Sequence, residues 1–264
     1  MKILCCFKIV SDLDPVMEKD WAAADSSGVD LSYVKKIINC FDEAGIETAL
    51  RIKESAEKQG ETVSVTAITV GGGQYEAFFK NLFAVGIGRI IQGRHSNTPM
   101  CSPDRLSEYL SELVGDSKYD LVITGAQSED GNNGLTPYYL AKRFGLPCIS
   151  NVSELQYSGS VLRVSCDAGD GTRRATVNAP ALYAVSNSVN PYLRMATLRQ
   201  KLATSKLSAE IFELDEAPTG TERDPVFQSF SRERSGRSCV FIEGESCAEK
   251  AAKLLKAYPE VRGR

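Results

Sequence analysis

The chain has 264 residues, 42% of them hydrophobic and 25% charged, proportions of an ordinary globular protein that exclude disordered and fibrous classes. Its 31 Lys and Arg face 34 Asp and Glu, a net charge of −3, so the basic excess of a protein built on a phosphate backbone is missing and no nucleic acid is expected. No apolar run approaches the roughly 18 residues of a bilayer span, and the opening stretch is broken by Lys8, so no membrane insertion is expected.

At about 150 residues per domain the length allows one large domain, or a domain with a substantial extension. Residues 2–10 read as an apolar strand. Phe41, Ala44, Thr48, Ala49, Ile52 and Ala56 recur at helical spacing, which predicts an amphipathic helix over 41–58. Residues 62–70 are β-branched and read as a buried strand, followed by Gly71-Gly72-Gly73 and a helix over 74–85. A short strand at 89–92, a helix at 104–114 and a strand at 119–124 come next. Beyond the polar loop 125–135, Thr136 reads as an N-cap with Pro137 at the first helical position, the helix running to Phe144. Strand-helix alternation with few hairpin signals argues for an open parallel sheet with helices on both faces, an α/β fold of Rossmann-like type.

The pattern changes near 151. Short strands at 151–157, 161–166 and 172–177, separated by Ser158-Gly159 and Gly169-Asp170-Gly171, suit an antiparallel excursion. Residues 181–185 read as a strand returning to the main sheet. From 186 the chain turns irregular, with Asn190-Pro191, a helix near 195–203, an extended piece at 208–214, a polar linker at 215–238 and a terminal helix at 248–257. We therefore divide it into an α/β domain at 1–205, including the 151–178 meander, and an extended C-terminal arm at 206–264 whose terminal helix needs a partner surface.

Eight cysteines, at 5, 6, 40, 101, 148, 166, 239 and 247, include no CxxC pair, and His95 is the only histidine, so zinc spacing is absent. They read as small buried hydrophobes in a reducing cytoplasm.

The most informative segment is Gly125-Ala126-Gln127-Ser128-Glu129-Asp130-Gly131-Asn132-Asn133-Gly134-Leu135-Thr136. It follows a buried strand and opens a helix, which places it at the carboxyl edge of a parallel sheet, where open α/β folds bind ligands. Free amides and the positive end of the helix dipole favour an anion there. An ordinary polar surface turn would carry the same residue types, and neither GxGxxG nor GxxxxGK[ST] is present. Val70-Gly71-Gly72-Gly73 lies between another strand and helix, either as a tight turn or as a second ligand contact at the same edge. Asn39-Cys40-Phe41-Asp42-Glu43 opens the 41–58 helix, and an ordinary acidic N-terminus explains it.

In this order and spacing the segments resemble the electron transfer flavoprotein beta subunit family. Ile3-Leu4-Cys5-Cys6-Phe7-Lys8 resembles its first strand, Asn39-Cys40-Phe41-Asp42-Glu43 its Asn-Pro-Phe-Asp/Cys-Glu, Ala84-Val85-Gly86 its Ala-Met-Gly, and residues 125–136 its Gly-x-Gln-x-x-Asp loop. Pro180-Ala181-Leu182 and Asn190-Pro191 to Ala196-Thr197-Leu198 resemble its later strand and recognition segment. The resemblance covers about residues 1–205. Leu135 stands where the family commonly has Gln, Arg199-Gln200-Lys201 replaces a lysine-rich stretch, and no Pro-Asp-Thr follows the first strand. These departures mark a divergent, paralogous branch.

The resemblance implies an electron carrier rather than an enzyme, with no catalytic or metal-binding residue: a beta subunit paired with an alpha subunit that carries redox-active FAD, accepting electrons from a flavin dehydrogenase. Beta itself would bind an adenine nucleotide through Cys6, Asn39, Cys40, Phe41, Asp42, Val70 and residues 125–136, with Leu198 docking a partner. AMP is the expected ligand; FAD in the same site would imply electron bifurcation. The rival reading is a stand-alone adenine-nucleotide-binding regulator of the universal-stress type. The meander and terminal helix, which such a compact sensor does not require, argue against it.

Overall fold

The computed structural model describes residues 1–22, 29–94, 102–158, 161–178, 180–186, 192–214 and 239–259. His95, Cys101, Gly159, Asn190, Pro191 and the 215–238 linker lie outside them.

The apolar opening makes two strands rather than the single one expected. β1 (Lys2–Cys6) runs in the main sheet, whereas β2 (Ile9–Ser11) pairs antiparallel with β3 (Lys36–Ile38), and a short helix α1 (Glu18–Ala22) lies between them in the chain. The chain leaves the sheet at Lys8 because the start of the second helix, α2 (Cys40–Lys58), captures both its main-chain groups. Lys8 N donates to Asp42 Oδ2 at 2.9 Å, and Lys8 O accepts from Asn39 N at 2.9 Å.

Alternation then proceeds through α2 (Cys40–Lys58), β4 (Ser64–Val70), α3 (Glu76–Val85), β5 (Arg89–Arg94), α4 (Pro103–Val114), β6 (Leu121–Gly125) and α5 (Thr136–Phe144). β7 (Cys148–Ser158), β8 (Val161–Asp167), β9 (Thr172–Val177) and β10 (Ala181–Val185) follow, then α6 (Leu198–Ala203), β11 (Glu210–Glu213) and α7 (Cys247–Ala257). The nine-stranded sheet has the order β11-β5-β4-β1-β6-β10-β7-β8-β9. Strands from β11 through β7 run parallel, and only β8 and β9 bring antiparallel pairs. The α/β architecture is thus as expected.

Each face of the sheet carries its own core, as the period of two demands. Ile3 and Cys5 of β1, with Phe7 just beyond it, join Ala44, Ile46 and Ala49 of α2 and Phe79 and Leu82 of α3. Leu4 and Cys6 join Leu110 and Val114 of α4 and Leu140 and Ala141 of α5. The chain steps from β1 outward through β4 and β5, then crosses back to β6 on the other side of β1. That reversal opens a crevice at the carboxyl ends of β1 and β6, the usual ligand site in such sheets.

The antiparallel excursion grows directly out of the main sheet. β7 begins parallel to β10, shifts register near Asn151, which takes a left-handed φ of 51°, and continues antiparallel to β8. The extended piece expected near 208–214 is β11, which adds to the edge of the sheet beside β5. Arg89 pairs with Glu210 at 2.6 Å and Arg94 with Glu213 at 3.0 Å, so the sheet reaches past residue 205. Periodicity could not show this, because the ladder joins segments more than a hundred residues apart. α7 is capped by Ser246 Oγ, which accepts from Glu249 N at 3.2 Å, and has no buried residue.

Thr136 is not a cap. It is the first helical residue of α5, Leu135 occupies the cap position, and no side chain caps it. The left-handed Gly134, φ 62°, turns the chain into the helix one residue early, and Asn133 Oδ1 accepts from Leu135 N at 3.0 Å.

Candidate nucleotide site

Residues 125–136 leave the carboxyl end of β6 inside the crevice, and two side chains from the start of α2 hold them there. Asp42, only 7% exposed, accepts from Gly125 N through Oδ1 at 2.8 Å. Its Oδ2 accepts from Lys8 N and from Asn39 Nδ2, at 2.9 and 3.0 Å. Asn39, 1% exposed, donates to Gln127 O at 2.9 Å and accepts from Glu129 N at 3.3 Å. It sits at the cap position of α2 but makes no capping bond. The acidic start of α2 is therefore more than the ordinary helix terminus that explains its composition: it ties three segments together.

The remaining ties are local. Lys8 Nζ pairs with Asp130 at 2.6 Å across the mouth of the loop, Ala126 N donates to Val185 O at 2.8 Å, and Asn132 N to Ser128 O at 2.8 Å. A Cβ at Gly125 would lie 2.9 Å from Phe41 Cβ and overlap Asp42 Oδ1, so the approach of α2 to this strand end requires glycine. The Gly134 and Thr136 amides, at the positive end of α5, make no hydrogen bond to any other described residue. This is the local geometry that receives an anion.

Burial dominates the electrostatics of the clamp. It pushes the Asp42 carboxyl up to about 6, against the opposing bonds from Asn39, Lys8 and Gly125 and the Lys8 charge. It also pushes the Cys5 and Cys6 thiols well above their usual range, so neither is a thiolate at neutral pH. Among the described residues no group of three His, Cys, Asp or Glu side chains is placed to hold a metal ion.

The fold brings Asn39, Phe41, Asp42 and residues 125–136 to one place. Cys6 and Val70 end the adjoining strands β1 and β4 at the same sheet edge; the Cys6 side chain packs into the second core, which leaves its main chain at the edge. Cys40 is half-buried at the start of α2. Leu198 stands elsewhere, on α6. It is 73% exposed beside Met195 at 92%, and Arg194, bonded to Glu47 of α2, fixes the approach to this helix. Lys8 and Gln92 were missed as site residues. Gln92, 1% exposed, donates to Gly71 O and Gly73 O at 2.9 and 3.0 Å and so locks the second glycine turn. Its only signal in the sequence was one amide within an apolar strand.

Comparison with known proteins identifies the family. The model of the electron transfer flavoprotein domain matches residues 28–217. The chain belongs to the electron transfer flavoprotein family. It is 29% identical over 262 residues to the "Putative electron transfer flavoprotein subunit YgcR" of Escherichia coli (strain K12), covering 98% of this chain and 97% of that protein. It is 27% identical over 227 residues to electron transfer flavoprotein subunit beta of Bacillus subtilis (strain 168), covering 83% and 84%. With the beta subunit of Methylophilus methylotrophus it shares 27% over 276 residues, covering 100% of each. No helix among the described residues is long and apolar enough to cross a membrane.

Proposed function

We propose that this electron transfer flavoprotein subunit is the beta half of a heterodimer, holding AMP at the crevice between β1 and β6 and supporting electron flow from a flavin dehydrogenase through FAD on an alpha subunit. The observation that carries the nucleotide reading is the loop 125–136, clamped by Asn39 and Asp42, whose Gly134 and Thr136 amides bond to no other described residue. The residues present fit an adenylate. Two amides at a helix start and a glycine turn favour a phosphate, and Val70 with the Gly71–Gly73 turn lines the neighbouring strand end.

Two features favour AMP over a second flavin. Lys8 is engaged by Asp130 of the loop, and Leu135 offers no side-chain donor where an amide could contact a longer phosphate chain. FAD on the alpha subunit supplies the redox chemistry. This chain's own part is to bind the nucleotide, keep the loop ordered and present docking surfaces: Leu198 for the dehydrogenase, and the meander and α7 for the alpha subunit. A reducing cytoplasm suits its seven described cysteines, all free thiols.

Co-expression with the adjacent reading frames, followed by an absorbance spectrum and acid extraction, tests this reading. A yellow heterodimer releasing one AMP per beta chain is expected. Stoichiometric FAD from the isolated beta chain would replace AMP by FAD and make bifurcation the mechanism, and a colourless protein without nucleotide would overturn the proposal.

A further inference from the structure

Among the described residues the Asp42 carboxylate bonds to three donors and to no acceptor. Oδ1 accepts from Gly125 N at 2.8 Å, and Oδ2 from Lys8 N at 2.9 Å and Asn39 Nδ2 at 3.0 Å. An ionised carboxylate satisfies all three. A protonated one carries a hydroxyl oxygen that accepts only weakly, and it adds a hydrogen among these N–H groups. A proton on Oδ1 weakens the tie to Gly125; a proton on Oδ2 competes with the bonds from Lys8 and Asn39. The first loosens loop 125–136 directly, the second loosens the Asn39 side chain that holds Gln127 and Glu129.

Burial pushes both Asp42 and its neighbour Glu43 up, and of the two Asp42 is the one bonded into the clamp. Lys8, on the turn after β1, is the cation that favours the ionised form, and its own charge is shared with Asp130. Glu43 lies next on α2, and Glu129 and Asp130 lie on the loop. Cys5 and Cys6 of β1 stay protonated thiols. Burial sets Asp42 close to 6, within reach of ordinary pH changes.

We propose that Asp42 is a positioning residue acting as a proton-linked latch on the nucleotide loop, which holds the nucleotide while Asp42 is ionised and releases it when Asp42 is protonated. The nucleotide half of this proposal rests on the reading of the loop given above; the latch itself does not.

Hydrogen exchange on the full chain at pH 7.5 and pH 5, corrected for intrinsic exchange rates, reads the latch without any ligand. About tenfold less protection is expected for 125–136 at pH 5, the effect of losing one buried hydrogen bond, with β4 no less protected than at pH 7.5. Asp42→Asn places a permanent donor among the three N–H groups and should show the low protection at both pH values. Titration with AMP should weaken about tenfold from pH 7.5 to pH 5 in the wild type and be weak and flat in Asp42→Asn. Equal loop protection at both pH values overturns the latch, and equal AMP affinity overturns its coupling to the ligand. A pH-dependent loop that binds no AMP at either pH keeps the latch and discards the nucleotide reading. If circular dichroism shows that Asp42→Asn does not fold, the wild-type comparison decides alone.

Discussion

Asp42 and Gly125, 83 residues apart in the chain, meet at 2.8 Å. Through this one bond the start of α2 determines where the chain leaving β6 can go, and hence where the loop of the candidate site begins.

Gly125→Ala should therefore be costly. The added methyl would press on Phe41 Cβ at 2.9 Å and overlap Asp42 Oδ1, and both neighbours belong to a helix packed on the sheet. Overpacking of this kind costs about 1–3 kcal/mol. The urea midpoint should fall accordingly, and the variant should purify without nucleotide. A midpoint equal to wild type would show that α2 moves freely away from β6.

Glu47, with a side chain 4% exposed, is the anchor for the segment leading into α6. It accepts from Arg194 Nε and Nη2 at 2.9 Å and from Arg51 Nε at 2.8 Å, and Arg194 also pairs with Glu54. Burial pushes the Glu47 carboxyl up, but the Arg194 and Arg51 bonds outweigh it and hold it below the usual range. A depressed carboxylate stabilises the fold above its unfolded value near 4.3 and loses that contribution as the pH falls through its folded value. Arg194→Ala should cost about 1–3 kcal/mol at pH 7 and much less at pH 3. Denaturant titrations of wild type and variant at the two pH values measure the difference, and an equal cost at both would assign the effect to packing.

Asp42 works in the opposite direction. Its folded value near 6 lies above the usual carboxylate value, chiefly through burial, so the native state takes up a proton that the unfolded chain does not. This proton adds stability that is fully present below the unfolded value near 3.9 and is lost as the pH rises through 6. Asp42→Asn should therefore be at least as stable as wild type at pH 7 while binding AMP more weakly. The slope of melting temperature against pH between 4 and 6 should flatten in the variant, and an unchanged slope would place the titration elsewhere.

Leu198, 73% exposed on α6 beside Met195, buries little within this chain. Leu198→Asp should leave melting temperature and flavin content unchanged, yet lower the apparent affinity for the dehydrogenase at least tenfold, as the loss of an apolar anchor does. Flavin reduction followed against dehydrogenase concentration measures this. Unaltered saturation would remove Leu198 from the docking surface.

Periodicity and composition alone carried the parallel α/β architecture. Residues 172–177 and 181–185 emerge as strands with the predicted bounds, and the loop 125–136 was legible because turn formers followed an apolar strand and preceded a helix. These signals are local, arising from which side chains prefer burial at a spacing of two or of 3.6. Tertiary structure decided the rest. The first strand breaks at Lys8 because Asp42 and Asn39 take its main-chain groups, Asn39 bridges to Gln127 and Glu129 instead of capping its helix, and β11 closes the sheet edge through Arg89 and Arg94. Each of these depends on a hydrogen bond or ion pair between residues 31 to 121 positions apart. A side chain's hydrogen-bonding capacity is written in the sequence, but the partner that satisfies it is chosen only when packing brings the two together.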